Sequence, residues 1–288
     1  MDAERRATHR LGCEIEIHTP DLPLGKGRYA LFDFDGTLSL IRAGWQEVML
    51  AQFTRTLAAL GTGETPDELR AVCLDFVTRL TGKQTIYQML ELVAQIQRRG
   101  GRPRPALEYK REYLESLHAR IGHRLAALRQ RRVPPERYRV RGSASLLSGL
   151  QQRGVELYLA SGTDQPFVEE EVELLGLAPF FAGRVYGAQD DYQSFSKKMV
   201  IERILTANHL SGPELLVFGD GYVEIENAKA AAGIAVGAAT MEDGSGGWDA
   251  WKRRRLLEVG ADILVPHWGE APLLLRYLFG EEPRRGCG

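Results

Sequence analysis

Tyr29-Ala30-Leu31-Phe32-Asp33-Phe34-Asp35-Gly36-Thr37 is a short apolar run that stops in an acidic cluster and a glycine. Such a run, bounded at once by turn formers, reads as a buried strand entering a tight loop. A helical tract takes over after it. From Trp45 the apolar residues Val48, Met49, Phe53, Leu57 and Leu60 recur at helical spacing. Thr65, Pro66 and Glu68 supply an N-cap, a first-turn proline and the acid of a capping box, ahead of Leu69, Val72, Phe76 and Leu80. One further helix carries Ile86, Met89, Leu90, Val93 and Ile96, and another carries Leu107, Leu114, Leu117, Ile121, Leu125 and Leu128. No convincing strand falls between about residues 43 and 131, so this block reads as all-helical.

After Pro134-Pro135 strands and helices alternate. The strand candidates are Val155 to Ala160, Arg184 to Tyr186, Leu215 to Phe218, Ile234 to Val236 and Ile263 to Val265, with helical patterns between them. That alternation is the signature of a parallel sheet covered on both faces. The strand at residues 29–34 has no partner unless it joins this sheet. The expected fold is therefore α/β, a Rossmann-like doubly wound parallel sheet core with an inserted all-helical cap. Its divisions are an N-terminal extension over 1–28, a discontinuous core over 29–42 and 132–280, the cap over 43–131 and a tail over 281–288.

The chain has 288 residues, 44% of them hydrophobic, and a formal net charge of −1. That length and composition can bury a full core and exclude a disordered tail. Near-neutrality argues against a protein that wraps nucleic acid or adheres to anionic lipid. Cys13, Cys73 and Cys287 are odd in number and widely spaced, which fits neither a disulfide framework nor zinc-ligand spacing, so a reducing cytoplasm is expected. The stretch Met1 to Arg6 opens without the apolar run of a signal peptide, and no segment approaches the roughly 20 apolar residues of a membrane span.

In a doubly wound sheet, ligands bind at the carboxyl ends of the strands near the switch point. Four stretches stand there: Asp33 to Thr37, Ser161-Gly162-Thr163, Lys197 at a helix start, and Gly219-Asp220-Gly221 followed by Glu224. Singly, each also suits an ordinary turn or helix cap. In this order and at these positions, they resemble the haloacid dehalogenase-like hydrolase superfamily over about residues 29–280. The helical insertion resembles the C1-type cap of its phosphatase branch. One departure is visible: many members carry Asp four residues after the metal-binding Asp, whereas this chain has Glu224.

The resemblance implies a Mg²⁺-dependent phosphatase acting on a small phosphorylated metabolite, of the phosphoglycolate or sugar phosphate type. It makes Asp33 the nucleophile, which forms an aspartyl-phosphate. Asp35 becomes the acid that protonates the leaving oxygen and then the base that activates water. Mg²⁺ would take Asp33, the backbone carbonyl of Asp35 and Asp220, with Glu224 supporting it at one remove; ligands that are all oxygen suit that ion. Ser161, the Gly162 amide, Thr37 and a lysine would hold phosphate. Both Lys197 and Lys198 are candidates for that lysine, and the spacing Ser196 to Val200 aligns better through Lys197. Within the superfamily, Asp35 separates phosphatases from dehalogenases and phosphonatases, but a phosphomutase would keep every one of these residues. A non-catalytic binding module is the remaining alternative.

The cap must close to exclude water, so specificity is expected in its loops and just after Thr37, with Arg42, Trp45, Lys83 and Gln84 as candidates. The basic tracts Arg98 to Arg104, Arg129 to Arg141 and Lys252 to Arg255 lack interleaved aromatics and read as solvated faces and a domain junction. His118 and His123 diverge by ~140° on a helix and do not form a shared metal site. Gly25-Lys26-Gly27 precedes a strand, which rules out a dinucleotide fingerprint, and the glycines of residues 243–247 read as a flexible loop. The expected partner is a small phosphorylated metabolite, with neither nucleic acid nor membrane.

Overall fold

The computed structural model describes residues 9–189, 196–208 and 212–281, and Cys287 lies outside them. In chain order, the elements begin with strands β1 (His9–Leu11), β2 (Ile15–Ile17) and β3 (Tyr29–Phe32). Helices α1 (Trp45–Ala58), α2 (Pro66–Arg79), α3 (Thr85–Arg98), α4 (Ala106–Arg129) and α5 (Ser143–Gln151) follow. Next come β4 (Glu156–Asp164), α6 (Gln165–Leu174), α7 (Ala178–Phe181), β5 (Val185–Ala188) and α8 (Lys197–Asn208). The chain continues through β6 (Leu215–Gly219), α9 (Tyr222–Ala230), β7 (Ile234–Ala238), α10 (Ala250–Glu258), β8 (Ile263–Val265) and α11 (Ala271–Leu278).

The eight strands among the described residues form one sheet in the order β1-β2-β8-β7-β6-β3-β4-β5. β3 lies between β4 and β6 and pairs parallel with both, Phe32 opposing Leu159 on one side and Phe218 on the other. All four of its residues are buried. Tyr29 and Leu31 pack into one apolar layer while Ala30 and Phe32 pack into the other, as the two-residue period of a strand covered on both faces requires. Phe32 stacks on Phe218 with ring centroids 4.5 Å apart, which locks the two strands whose ends carry acids. After β3 the chain builds outward through β4 and β5, then returns to build β6, β7 and β8 on the other side. The ends of β3, β4 and β6 thus surround the switch point.

Between β3 and α5, the helices α1 to α4 form the cap. The Thr65 hydroxyl accepts from the Glu68 amide and the Glu68 carboxylate accepts from the Thr65 amide, so the capping box read from sequence is present. Ion pairs tie cap to core: Lys110 on α4 reaches Asp164 at 2.6 Å, and Arg129 reaches Glu170 on α6.

Two features differ from the sequence reading. Residues 9–17, read above as part of an N-terminal extension although Cys13, Ile15 and Ile17 alternate with Glu14 and Glu16, form a hairpin whose β2 pairs antiparallel with β8 and covers that edge of the sheet. β4 continues past Ala160 to Asp164, its pairing with β5 shifting register between those two residues, so Ser161, Gly162 and Thr163 lie on the strand end itself. Among the described residues, no helix is long and apolar enough to cross a membrane.

Candidate active site

The Asp33 amide donates to the Phe218 carbonyl at 2.9 Å, so the β3–β6 pairing runs on into the acidic loop and fixes where Asp33 starts. Its side chain is buried and held at both oxygens: Lys197 Nζ lies 2.6 Å from Oδ1, and the Thr37 hydroxyl donates to Oδ2 at 3.2 Å. Gly36 then turns the chain at φ 78, and a Cβ there would overlap the Asp220 carboxylate, so both conformation and space require glycine. The turn places Asp35 over the end of β4. There its Oδ2 accepts from the Thr163 hydroxyl at 2.8 Å, with the Ser161 hydroxyl at 3.5 Å.

Lys197 is buried and also bonds Glu224 Oε1, so one ammonium bridges the nucleophile candidate and the acid on α9. Lys198 points away; its side chain is 67% exposed and pairs with Glu202 on its own helix. The structure therefore distinguishes the two lysines, and Lys197 is the one in the site. The space Glu224 occupies is cleared by glycine. A Cβ on Gly221 would overlap its Oε2, and one on Gly219 would come within 2.9 Å of its Cβ. This is how the extra methylene is accommodated at a position where the family often has Asp.

Asp220, at the end of β6, carries a partner the sequence reading missed. Lys252 Nζ lies 2.6 Å from Asp220 Oδ2 and 2.8 Å from Glu242 Oε1, with only 6% of its side chain exposed. This corrects the reading of Lys252 to Arg255 as a solvated tract. Lys252 is on the face of α10 that also buries Leu256 one turn later, and that i, i+4 relation was the available signal. Arg255 stacks on Tyr222 and Trp251 and donates to the Thr78 carbonyl, which also takes it out of the solvated class.

The cap closes one side. Gly162 packs so tightly under the α2–α3 loop that a Cβ on it would lie 2.8 Å from the Lys83 carbonyl, with the Cα of buried Gln84 next to it. Lys83 itself is exposed, its ammonium 5.9 Å from the Tyr87 ring centroid, and it lines the cavity with Trp45. Arg42 is held in place by Glu171, Nη2 to Oε1 at 2.7 Å, with Nε 4.0 Å from Asp35 Oδ1. Its charge is committed to an internal pair beside the acid, and that pair was illegible because the two residues are 129 positions apart. Thr37 and Ser161 are fully buried and do not line the cavity. Thr37 steadies Asp33, and Ser161 accepts from the Thr163 amide at 3.0 Å. Thr163 and Gln88 line the cavity instead, the latter with its buried Oε1 unpartnered among the described residues.

The electrostatics follow from this crowding. Burial lifts the Asp35 carboxyl to about 7 against the pull of Arg42, while Glu171 and Asp33 add to the rise. Burial raises Asp220 to about 7 as well, opposed by Lys252 and reinforced by Asp33 and Glu242. The Lys252 ammonium, buried but facing two carboxylates, is held well above the ordinary lysine value. An acid poised near neutrality can give up a proton and take it back.

Two carboxylates, Asp33 and Asp220, and the backbone carbonyl of Asp35 offer oxygen donors only. Among the described residues, no three His, Cys, Asp or Glu side chains ring a common point. Mg²⁺ does not need such a cage, because it binds through one or two carboxylates, its own waters and substrate phosphate. Among the described residues, the buried oxygens Asp35 Oδ1 and Glu224 Oε2 have no hydrogen-bond partner, so acceptor capacity is left over at the site. The donor set fits such an ion.

The model of the haloacid dehalogenase-like hydrolase family matches residues 28–232. No curated protein sequence matches the chain. Among solved structures, it is similar to a predicted phosphatase from Clostridium acetobutylicum, with a TM-score of 0.56 at 18% identity over 87% of this chain and 99% of that one. It is also similar to a predicted phosphoglycolate phosphatase from Haemophilus somnus 129pt, with a TM-score of 0.55 at 13% identity over 86% and 98% of the two chains. A putative beta-phosphoglucomutase from Thermotoga maritima gives 0.50 at 19% identity over 87% and 99%. These likenesses establish the shared fold.

Proposed function

Because this chain belongs to the haloacid dehalogenase-like hydrolases, we propose that it is a Mg²⁺-dependent phosphatase that hydrolyses small phosphate monoesters through an aspartyl-phosphate on Asp33. The observation that carries this reading is the pairing of a buried Asp33, held 2.6 Å from Lys197, with an Asp35 whose carboxyl is lifted to about 7 two residues later. A carboxylate meets an already anionic phosphorus only where charge has been neutralised beforehand. Lys197 supplies one positive charge. A Mg²⁺ ion held by Asp33, Asp220 and the Asp35 carbonyl would supply the rest of the charge neutralisation when bound.

Lys197 and Thr37 hold Asp33 in one orientation, so its attack on phosphorus needs little rearrangement. As the new bond to phosphorus forms, the bond to the ester oxygen breaks, and that oxygen takes the Asp35 proton. Asp35, now a carboxylate, draws a proton from water, whose oxygen attacks phosphorus and releases Asp33 and inorganic phosphate. Such acid–base help is worth ~10²–10⁴-fold. Thr163, donating to Asp35 Oδ2, keeps the carboxyl aimed through both steps.

The test is a screen of phosphorylated metabolites with Mg²⁺, using the Asp33→Asn protein as the blank. Phosphate release that survives this change undiminished overturns the mechanism. Isomer formation in place of phosphate release identifies a phosphomutase.

A further inference from the structure

We propose that the large groove beside the catalytic cavity is the leaving-group site, and that the substrate is an ester of an alcohol bearing at least one further anionic group. This rests on the reading of Asp33 as the nucleophile. The catalytic cavity, bounded by Asp33, Asp35, Lys197, Asp220 and the cap, encloses only about 90 Å³. Pockets for whole small molecules run to roughly 300–1,000 Å³, so this one takes a phosphoryl group and little beyond it. The adjacent groove, at about 1,080 Å³, is the size of a ligand pocket. Trp45, Gln46, Glu242 and Lys252 line both spaces, so the two meet across that gap. A leaving group larger than a few atoms is directed through it, past the half-buried face of Trp45.

The groove is built for negative charge. Most of its carboxylates are already engaged: Glu136 by Arg139, Glu242 by Lys252, Asp249 by the first amides of α10 and Asp243 by the Ser245 amide, which leaves Glu47. Arg120, Arg137 and Arg141 line it with no carboxylate partner among the described residues, the Arg141 guanidinium lying against the His267 ring at 3.3 Å. Helix α5 opens into it at Ser143 to Ser145 with no side-chain cap on its N-terminus; the Ser143 amide donates to the Val140 carbonyl, and the Ala144 and Ser145 amides and the positive end of the dipole are left for the groove. Independently, Thr240 lines the same groove with its hydroxyl buried and without a hydrogen-bond partner among the described residues. Guanidinium groups without a carboxylate partner, the amides after Ser143 and an unused hydroxyl are together the recognition set for a phosphate or carboxylate.

The experiment compares fructose, ribulose and glycerol monophosphates with the corresponding bisphosphates, on the full chain with Mg²⁺. The wild type is expected to prefer the bisphosphate in at least one pair by about tenfold in kcat/KM. The Arg120→Glu/Arg141→Glu double variant is expected to abolish that preference through KM, while hydrolysis of p-nitrophenyl phosphate, whose uncharged leaving group makes no demand on the groove arginines, stays within about twofold. Its retained activity shows that the variant is folded; if it is lost, the Arg120→Gln/Arg141→Gln pair is measured in its place. The absence of a bisphosphate preference in every pair, or an equal loss for both members, overturns the groove assignment. Should the wild type release phosphate from no ester, the catalytic reading falls by itself. The groove is then judged by calorimetric titration of the Asp33→Asn protein with the same pairs, where tighter bisphosphate binding that the arginine changes remove supports it and equal binding overturns it.

Discussion

Two ammonium groups, one on each side of the site, are built alike and placed differently. Lys197 bridges Asp33 and Glu224, and Lys252 bridges Asp220 and Glu242; both lysines are buried. In each, a desolvated cation is stabilised by two carboxylates, because a single partner rarely repays the cost of leaving water. Lys197 stands on the proposed nucleophile and takes both its acids from the stretches singled out in the sequence. Lys252 stands on the acid expected to hold the metal ion and takes its second acid from the loop after β7. In the proposed mechanism one electrostatic device serves two tasks: Lys197 orients and neutralises at the reacting group, and Lys252 orients a metal ligand one step removed.

The change that breaks the nucleophile side outright is Asp33→Asn, expected to lower phosphate release by at least ~10³-fold in a steady-state assay. Lys197→Met follows, with kcat reduced ~10²–10³-fold because a donor aimed at developing charge is lost. Lys252→Met separates the two lysines. Its effect is expected chiefly in metal affinity, with the Mn²⁺ dissociation constant from calorimetry weakening ~10–100-fold as Asp220 loses its tether. If kcat at saturating metal falls as far as in Lys197→Met, the two lysines share one task and the comparison fails.

A smaller effect concerns Asp35, between the two bridges. Its carboxyl is near 7 in the folded protein against an ordinary 3.8, so the stability this adds is present below pH 3.8 and is lost as pH rises through 7. In metal-free protein, Asp35→Asn should gain on wild type between pH 5 and 8 by on the order of 2 kcal/mol in urea unfolding, part of the full shift being discounted for its partial exposure. Smallest of all is Lys198→Ala, expected within about 0.5 kcal/mol and twofold in activity. An effect as large as that of Lys197→Met would mean that the wrong lysine was chosen.

The parts of the site legible in the sequence share one property. Asp33, Asp35, Ser161, Lys197 and Asp220 each lie at the end of a strand or the start of a helix, where the hydrophobic period itself marks the position. Thr163 sat inside a recognised stretch, but its role depended on β4 continuing to Asp164, and a strand that keeps its pairing through a register shift leaves no periodic trace. Arg42 was noticed without Glu171, and Asp220 without Lys252 and Glu242, since ion pairs between distant positions have no period at all. The basic tract at Lys252 misled because composition counts a charge without knowing which face of α10 it occupies.

Local pattern by itself determined the parallel sheet, the helical cap inserted after β3 and the acids at the strand ends, because strand and helix periods and cap chemistry act over a few neighbouring residues. Tertiary structure alone decided which lysine enters the site, that Arg42 is held by Glu171, that Lys252 holds Asp220, and that the inner cavity opens on a basic groove. Those depend on which side chains meet after burial, where losing water makes every pairing count and sequence distance counts for nothing.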